Sequence, residues 1–327
     1  MKLGSLKDDT RDGLLVVVSR DLSTCAAVPE IARTLQAALD NWSALAPRLV
    51  HAYDALNAGT RKDAKPFDPA RAAAPLPRAY QFADGSLYTS HMELMSAWRK
   101  IPISATFFEE PFVYQGCSDD LLGACDPIPL GSEEWGLDFE AEIAVVTDAV
   151  PVRTSASAAG DHIKLVMLCN DVSLRNLIPH ELSKEFGFYQ SKPPSAFSPV
   201  AVTPDELGTS WTGNHVNLPL RTTYNSAEFG RPNAGGETVF GFRDLIAHLT
   251  RTRRLGPGTI IGSGTVSNRD RSVGSSCLAE KRVIEILETG NAVSPWMKVG
   301  DRVRIEMLDE NGRSIFGAIE QEVVPMN

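Results

Sequence analysis

Hydrophobic and polar positions alternate most tellingly between Trp135 and Thr147, WGLDFEAEIAVVT. From Asp138 to Val146 the pattern predicts a β-strand. Successive strand side chains point to opposite faces, which places Asp138, Glu140 and Glu142 on one face and Phe139, Ala141 and Ile143 on the other. Further strands are predicted over residues 14–18, 163–170, 216–223, 259–261, 282–287 and 303–307. The last runs through the turn Asp309-Glu310-Asn311-Gly312 into a strand over 314–324. Helical spacing appears twice. Between Glu30 and Ala58 the apolar positions Ile31, Leu35, Leu39 and Trp42 continue as Leu45, Leu49, Tyr53 and Leu56, with a break expected at Pro47 and an end at Gly59. A second helix is expected over 241–253, with Phe242, Leu245, Ile246 and Leu249 on its apolar face.

Two parts follow from this pattern. Residues 60–77 are rich in Ala, Pro and charge and read as a linker, so a small N-terminal α/β domain is expected over 1–75 and a larger domain over 76–327. The larger part has no regular βα alternation and no internal repeat. The expected class is therefore α+β, mostly β, rather than a doubly wound parallel sheet.

Composition narrows the function classes. A chain of 327 residues with 43% hydrophobic and 22% charged residues is an ordinary globular protein with room for a large core. A net charge of -9 without a basic, aromatic-interleaved stripe argues against nucleic acid as a partner. Arg251, Arg253 and Arg254 read as the charged end of a helix. No apolar run approaches a membrane span, and the first residues lack the apolar core of a signal peptide. The five cysteines are scattered and include no CxxC pair, as expected of reduced thiols in a cytoplasmic protein.

The chemistry begins with the acids on the strand. Like charges this close repel, and burying them is costly unless something positive lies between them. A hard divalent cation with oxygen ligands answers that need; a half-exposed strand with its acids in water is the alternative reading. Downstream, Asn170-Asp171-Val172-Ser173-Leu174-Arg175 ends an apolar strand with a carboxylate. Gly187-Phe188-Tyr189-Gln190-Ser191-Lys192-Pro193-Pro194 then presents one lysine in a proline-flanked loop. Gly262-Ser263-Gly264 is only half of a GxGxxG and opens no clear helix, so nucleotide binding is not expected there. Ser263 is in no nucleophile elbow, and Cys117 and Cys277 have no local nucleophile signature.

Together, ExE on a strand, NDVSxR, and QSKP followed by FSPVAVTPDEL resemble the fumarylacetoacetate hydrolase family from about Leu76 onward, and the N-terminal part resembles the small leading domain of bacterial members. The resemblance implies a β-rich catalytic domain, a divalent metal (Mg²⁺ or Ca²⁺), a homodimer and a small diketo-acid substrate. It matches Glu140, Glu142, Asp171 and Asp84 to metal ligands, with His91, seven residues after Asp84, as general base. Glu280, one residue off the usual spacing, matches the glutamate that holds that base. Lys192 and Arg175 match the stabilising cations, and Tyr114 and Thr265 match substrate contacts. Two family substrate contacts are absent: Ile178 and Leu182 stand in their places, and Tyr189 or Gln190 are candidates to substitute. The implied reaction is hydrolysis of a carbon–carbon bond in a β-diketo acid, foremost fumarylacetoacetate in tyrosine and phenylalanine catabolism. Acylpyruvate hydrolysis, oxo-acid decarboxylation, diene-dioate isomerisation and a non-catalytic binding role are the alternatives.

Overall fold

A computed structural model describes residues 1–326. Its centre is an eleven-stranded sheet running from Lys65–Pro66 and Thr24–Ala27 through the N-terminal hairpin, Leu14–Val18 and Lys2–Leu6, then Ala201–Val202, Ile163–Asn170, Ala141–Thr147 and Ile260–Gly262, to Phe82–Gly85 and Val113–Gln115. Most pairings are antiparallel; Ile260–Gly262 runs parallel to Phe82–Gly85. Lys2 and Leu3 pair with Val202 and Ala201, so the N-terminal part shares its sheet with the rest of the chain. A five-stranded sheet containing Leu220–Tyr224, Arg302–Met307 and Ile319–Pro325 packs beside it. The architecture is α+β.

Both faces of the central sheet are covered, which explains the continuous apolar run 143–146. Ile143 and Val145 join the core formed with the second sheet, whereas Ala144 and Val146 join the core under the N-terminal helices. Glu142 has the parity of Ala144 and Val146, and it is the second residue of the fully buried strand Ala141–Thr147.

Several local expectations are corrected. The strand does not run unbroken from Asp138: Leu137–Asp138 pairs with Ser173–Leu174, and the longer strand starts at Ala141. Glu140 sits between them, bridged to Cys277. The helical stretch breaks at Asn41 and not at Pro47, which lies inside Trp42–Asn57. The carbonyl that Pro47 leaves without a donor belongs to Ser43, an exposed residue where water can serve. The segment 60–77 is not a free linker: Lys65 and Pro66 pair with Cys25 and Thr24, and Phe67, Ala72, Ala74 and Leu76 are buried, although most of 60–71 is exposed. The strands expected over 216–223 and 314–324 shift to Leu220–Tyr224 and Ile319–Pro325. The helix over 241–253 is shorter, Phe242–Leu249, and Arg251 beyond it pairs with Glu110.

The largest correction is 282–287, which is not a strand but the middle of a helix, Leu278–Thr289. A short apolar run such as Val283-Ile284 suits either state. Here the burial of Leu278, Ala279 and Val283 follows one helical face, Leu287 is exposed, and Gly290 closes the helix at positive φ. Among the described residues no helix is long and apolar enough to cross a membrane.

Candidate metal centre and base

Three carboxylates converge from three strands. Asp84 lies in Phe82–Gly85, Glu142 in Ala141–Thr147, and Asp171 just past Ile163–Asn170. Register brings them together, since Gly262 pairs with Asp84 on one side and Ala144 on the other, while Cys169 pairs with Glu142. One oxygen from each lies within 4.8 Å of the others, and all three side chains are buried. Burial first, and then the neighbouring carboxylates, push the Asp84 and Glu142 carboxyls well above their ordinary range.

The cluster fits a cation. Both oxygens of Glu142 are buried without a hydrogen-bond partner among the described residues, and such groups are costly unless something pairs with them. Gly262 keeps the space open: a Cβ there would stand 2.1 Å from Asp84 Oδ1 and 3.2 Å from Glu142 Oε2. Oxygen-only donors suit a hard divalent ion.

The fourth expected ligand, Glu140, lies beside this group with its oxygens engaged. Oε1 accepts from Lys192 Nζ at 2.7 Å and Ser173 Oγ at 2.6 Å, and Oε2 accepts from Thr265 Oγ1. Burial opposes its ionisation, but Arg175 and Lys192 outweigh that and hold the carboxyl well below the usual range. Lys192 Nζ also donates to Asp171 Oδ2 at 2.6 Å. Burial works against its charge, but Asp171 and Glu140 raise its pKa above that of a free lysine.

Arg175 is held from behind by a residue read only as part of the acidic face. Its Nε donates to Asp138 Oδ2 at 2.9 Å, and its Nη2 lies 3.2 Å from Glu140 Oε1. Asp138 also accepts from the backbone N–H groups of Leu278 and Ala279 at 2.7 and 2.9 Å. One buried carboxylate thus both anchors the arginine and starts the Leu278–Thr289 helix. No sequence signal distinguishes Asp138 from Glu140, because the distinction depends on a helix 140 residues away.

That helix carries Glu280 in its first turn, facing His91 in the first turn of Thr89–Arg99. His91 Nδ1 and Glu280 Oε1 are 2.8 Å apart. With the carboxylate accepting at Nδ1, the Nε2 lone pair is left free. Glu280 is buried, and the His91 side chain keeps 15% of its exposure. The pair adjoins the carboxylates through the Glu140–Cys277 bridge and through the segment Thr265–Ser267, where Thr265 donates to Glu140 and Ser267 Oγ accepts from Ser90.

Tyr114 donates to Asp171 Oδ2 at 2.6 Å. Phe188, absent from the expected set, stands edge-on to the Tyr114 ring with centroids 5.3 Å apart. Beyond them opens a cleft of about 480 Å³ lined by Cys117, Asp119, Phe188, Tyr189, Gln190 and Lys192, among others. Tyr189 is 87% exposed at its edge. Ile178 and Leu182 bound the short helix Ile178–Leu182. Ser195 Oγ donates to Asp171 Oδ1 at 2.6 Å and, like Ser173, fixes a carboxylate that the sequence shows without its partner.

The raised carboxyls give a pH dependence. Metal-free, the folded chain holds protons on Asp84 and Glu142 more tightly than the unfolded chain does. Their contribution to stability is therefore present at low pH and lost as pH rises through the raised folded values. A bound cation requires both groups ionised, so its stabilisation grows with pH. The melting-temperature difference between Mn²⁺-loaded and EDTA-treated protein is expected to widen from about pH 5 to about pH 8. A difference that stays flat across that range would remove these carboxylates from the metal site.

Comparison with known proteins agrees in fold. Residues 81–324 match the family described as fumarylacetoacetate (FAA) hydrolase C-terminal, and residues 1–78 match fumarylacetoacetase N-terminal domain 2. Among curated proteins, the chain is 26% identical over 198 residues to oxaloacetate tautomerase YisK of Bacillus subtilis, covering 59% of this chain and 61% of that protein. It is 25% identical over 222 residues to the homoprotocatechuate catabolism bifunctional isomerase/decarboxylase of Escherichia coli, covering 67% of this chain and 47% of that protein. The chain spans between 41% and 68% of the length of such relatives. In structure it is similar to a putative HpcE protein from Mycobacterium smegmatis, with a TM-score of 0.68, 20% identity and full coverage of both chains. It is also similar to maleylpyruvate hydrolase from Sphingobium sp. SYK-6 in complex with manganese(II) ion and pyruvate, with a TM-score of 0.66, 15% identity and full coverage.

Proposed function

Since the chain belongs to the fumarylacetoacetate hydrolase family, we propose that it is a divalent-metal-dependent hydrolase of a carbon–carbon bond in a β-diketo acid, with fumarylacetoacetate as the foremost candidate substrate. The observation that carries this reading is the His91–Glu280 pair set beside the Asp84, Glu142 and Asp171 cluster. Family relatives bear hydrolase, isomerase, decarboxylase and tautomerase names. Hydrolysis is the member of that set that needs a base to activate water.

A cation held by Asp84, Glu142 and Asp171, with Glu140 alongside, supplies Lewis acidity toward the substrate's carbonyl oxygens. His91 takes a proton from water at Nε2 while Glu280 holds the ring through Nδ1 and stabilises the imidazolium that forms. Hydroxide adds to the carbonyl carbon, and Lys192 and Arg175 stabilise the oxyanion, a contribution of about 3–4 kcal/mol per well-placed donor. The carbon–carbon bond then breaks, its electron pair leaves as an enolate, and the proton held at His91 Nε2 passes to that enolate, which releases the second product and restores the base. Fumarylacetoacetate would yield fumarate and acetoacetate. Tyr114, Thr265 and Gln190 would bind the substrate, with Tyr189 at the cleft mouth.

The test is turnover of fumarylacetoacetate with Mg²⁺ or Mn²⁺, followed by loss of its enol absorbance and by product analysis. Cleavage to two acids supports the proposal. The curated isomerase/decarboxylase and tautomerase relatives favour a second reading, in which the same centre handles an oxo-acid enolate without adding water. Metal-loaded protein that cleaves neither fumarylacetoacetate nor an acylpyruvate, yet tautomerises or decarboxylates oxaloacetate, would replace the first reading with the second.

A further inference from the structure

Lys192 must reach between Glu140 and Asp171, yet the loop that carries it has little else to hold it. The six residues from Leu182 to Gly187 are all exposed, with Phe186 99% exposed. Glu185 and Gly187 turn the chain at positive φ, and a Cβ on Gly187 would meet nothing within 4 Å. The flanking prolines stiffen the loop only after the lysine.

One buried acid fixes the other side. Glu181, in the short helix Ile178–Leu182, accepts from three successive backbone N–H groups: Tyr189 at 3.1 Å, Gln190 at 2.7 Å and Ser191 at 3.0 Å. Its Oε2 also accepts from Ser191 Oγ at 2.5 Å. Ser191 is fully buried, and its carbonyl accepts from Leu174 N at 2.8 Å, one residue before Arg175. Glu181 therefore closes a ring joining the backbone beside both cations. Turn amides could instead be satisfied by water; a carboxylate buried against three of them has a single geometry in which all are paired.

We propose that Glu181 is a positioning residue for turnover: it touches no reacting atom, and it sets the place of Lys192 by clamping the turn 189–191. The inference rests on the proposed part of Lys192 in catalysis. Glu181→Gln preserves size but turns one acceptor oxygen into an NH₂ group aimed at N–H donors. A misplacement of the order of 1 Å costs about 10²-fold, so E181Q is expected to lose 10- to 100-fold, on the order of that figure, in kcat with little change in KM. In a Lys192→Met background, assayed in single turnover, E181Q is expected to cost less than about 2-fold, because residues that act as a unit are non-additive.

Amide hydrogen exchange of residues 189–191, measured on full-length metal-loaded protein without substrate, reads the clamp itself and should accelerate at least about 10-fold in E181Q. Faster exchange with a kcat loss that vanishes in the K192M background supports the inference. Unchanged exchange, or an equal loss with and without Lys192, overturns it. If the wild type turns over no β-diketo acid, the proposed reaction has failed separately; the exchange result stands, and the same kcat comparison is read on oxaloacetate.

Discussion

Glu142→Gln is expected to abolish divalent-metal binding and to lower turnover by at least about 10³-fold, while the metal-free variant melts above the metal-free parent. The first two effects follow from position. Glu142 is the carboxylate of the cluster to whose two oxygens no amide, hydroxyl or cationic group among the described residues donates, so a cation is what would pair with both of them. A loss of 10³ corresponds to about 4 kcal/mol, within the several kcal/mol that Lewis-acid stabilisation supplies. The third effect has the opposite sign. Without metal, the parent must either keep a proton on Glu142 or bury its charge against Asp84 and Asp171, a cost that burial strengthens and that grows as pH rises, and a neutral amide of the same shape avoids it. In the parent, metal at 100 times its Kd adds about 2.7 kcal/mol, and in the variant that gain disappears. Melting curves with Mn²⁺ and with EDTA, beside titration calorimetry, check all three. Metal-dependent turnover at the parental rate in Glu142→Gln would refute the metal assignment.

His91→Ala is expected to lower kcat for hydrolysis by about 10²–10⁴-fold, the usual worth of a positioned base, with metal affinity unchanged. The His91–Glu280 pair lies on two packed helices outside the carboxylate cluster, so removing the imidazole leaves Asp84, Glu142 and Asp171 as they are. Glu280→Gln should lose less, because the amide oxygen can still accept from Nδ1–H but no longer offsets a charge on the ring. Steady-state kinetics beside metal titration separates the two sites. Hydrolysis that survives in His91→Ala would move the base elsewhere; loss of metal binding in that variant would mean the two sites are one.

Much of this arrangement was legible because it is local. The apolar run 143–146, the strand 163–170 and the strand near 303–307 follow from side-chain period and burial, and the structure has them within a residue or two. Asp84 and His91 are seven residues apart, which spans the end of one strand and the first turn of the next helix. The motif around Asp171 likewise announces a strand end.

What could not be read depends on partners distant in the chain. Val283-Ile284 sits in a helix because Asp138 accepts from that helix's first amides, and those amides belong to residues 140 and 141 positions away. The local pattern was equally good for a strand, so a long-range contact decided it. The same contact split Asp138 from the acidic face it seemed to share with Glu140 and Glu142. Glu181 carried no signal, since an acid on a short helix looks solvated until three turn amides are seen around it.

By itself the sequence determined the α+β class, the family and the acids and cations available for chemistry, because periodicity and short motifs are properties of neighbouring residues. Only the tertiary structure decided which acid faces which cation, that no donor among the described residues reaches the Glu142 oxygens, and that Glu280 reaches His91. Those outcomes depend on register between strands and on desolvation, and both arise only when distant segments pack.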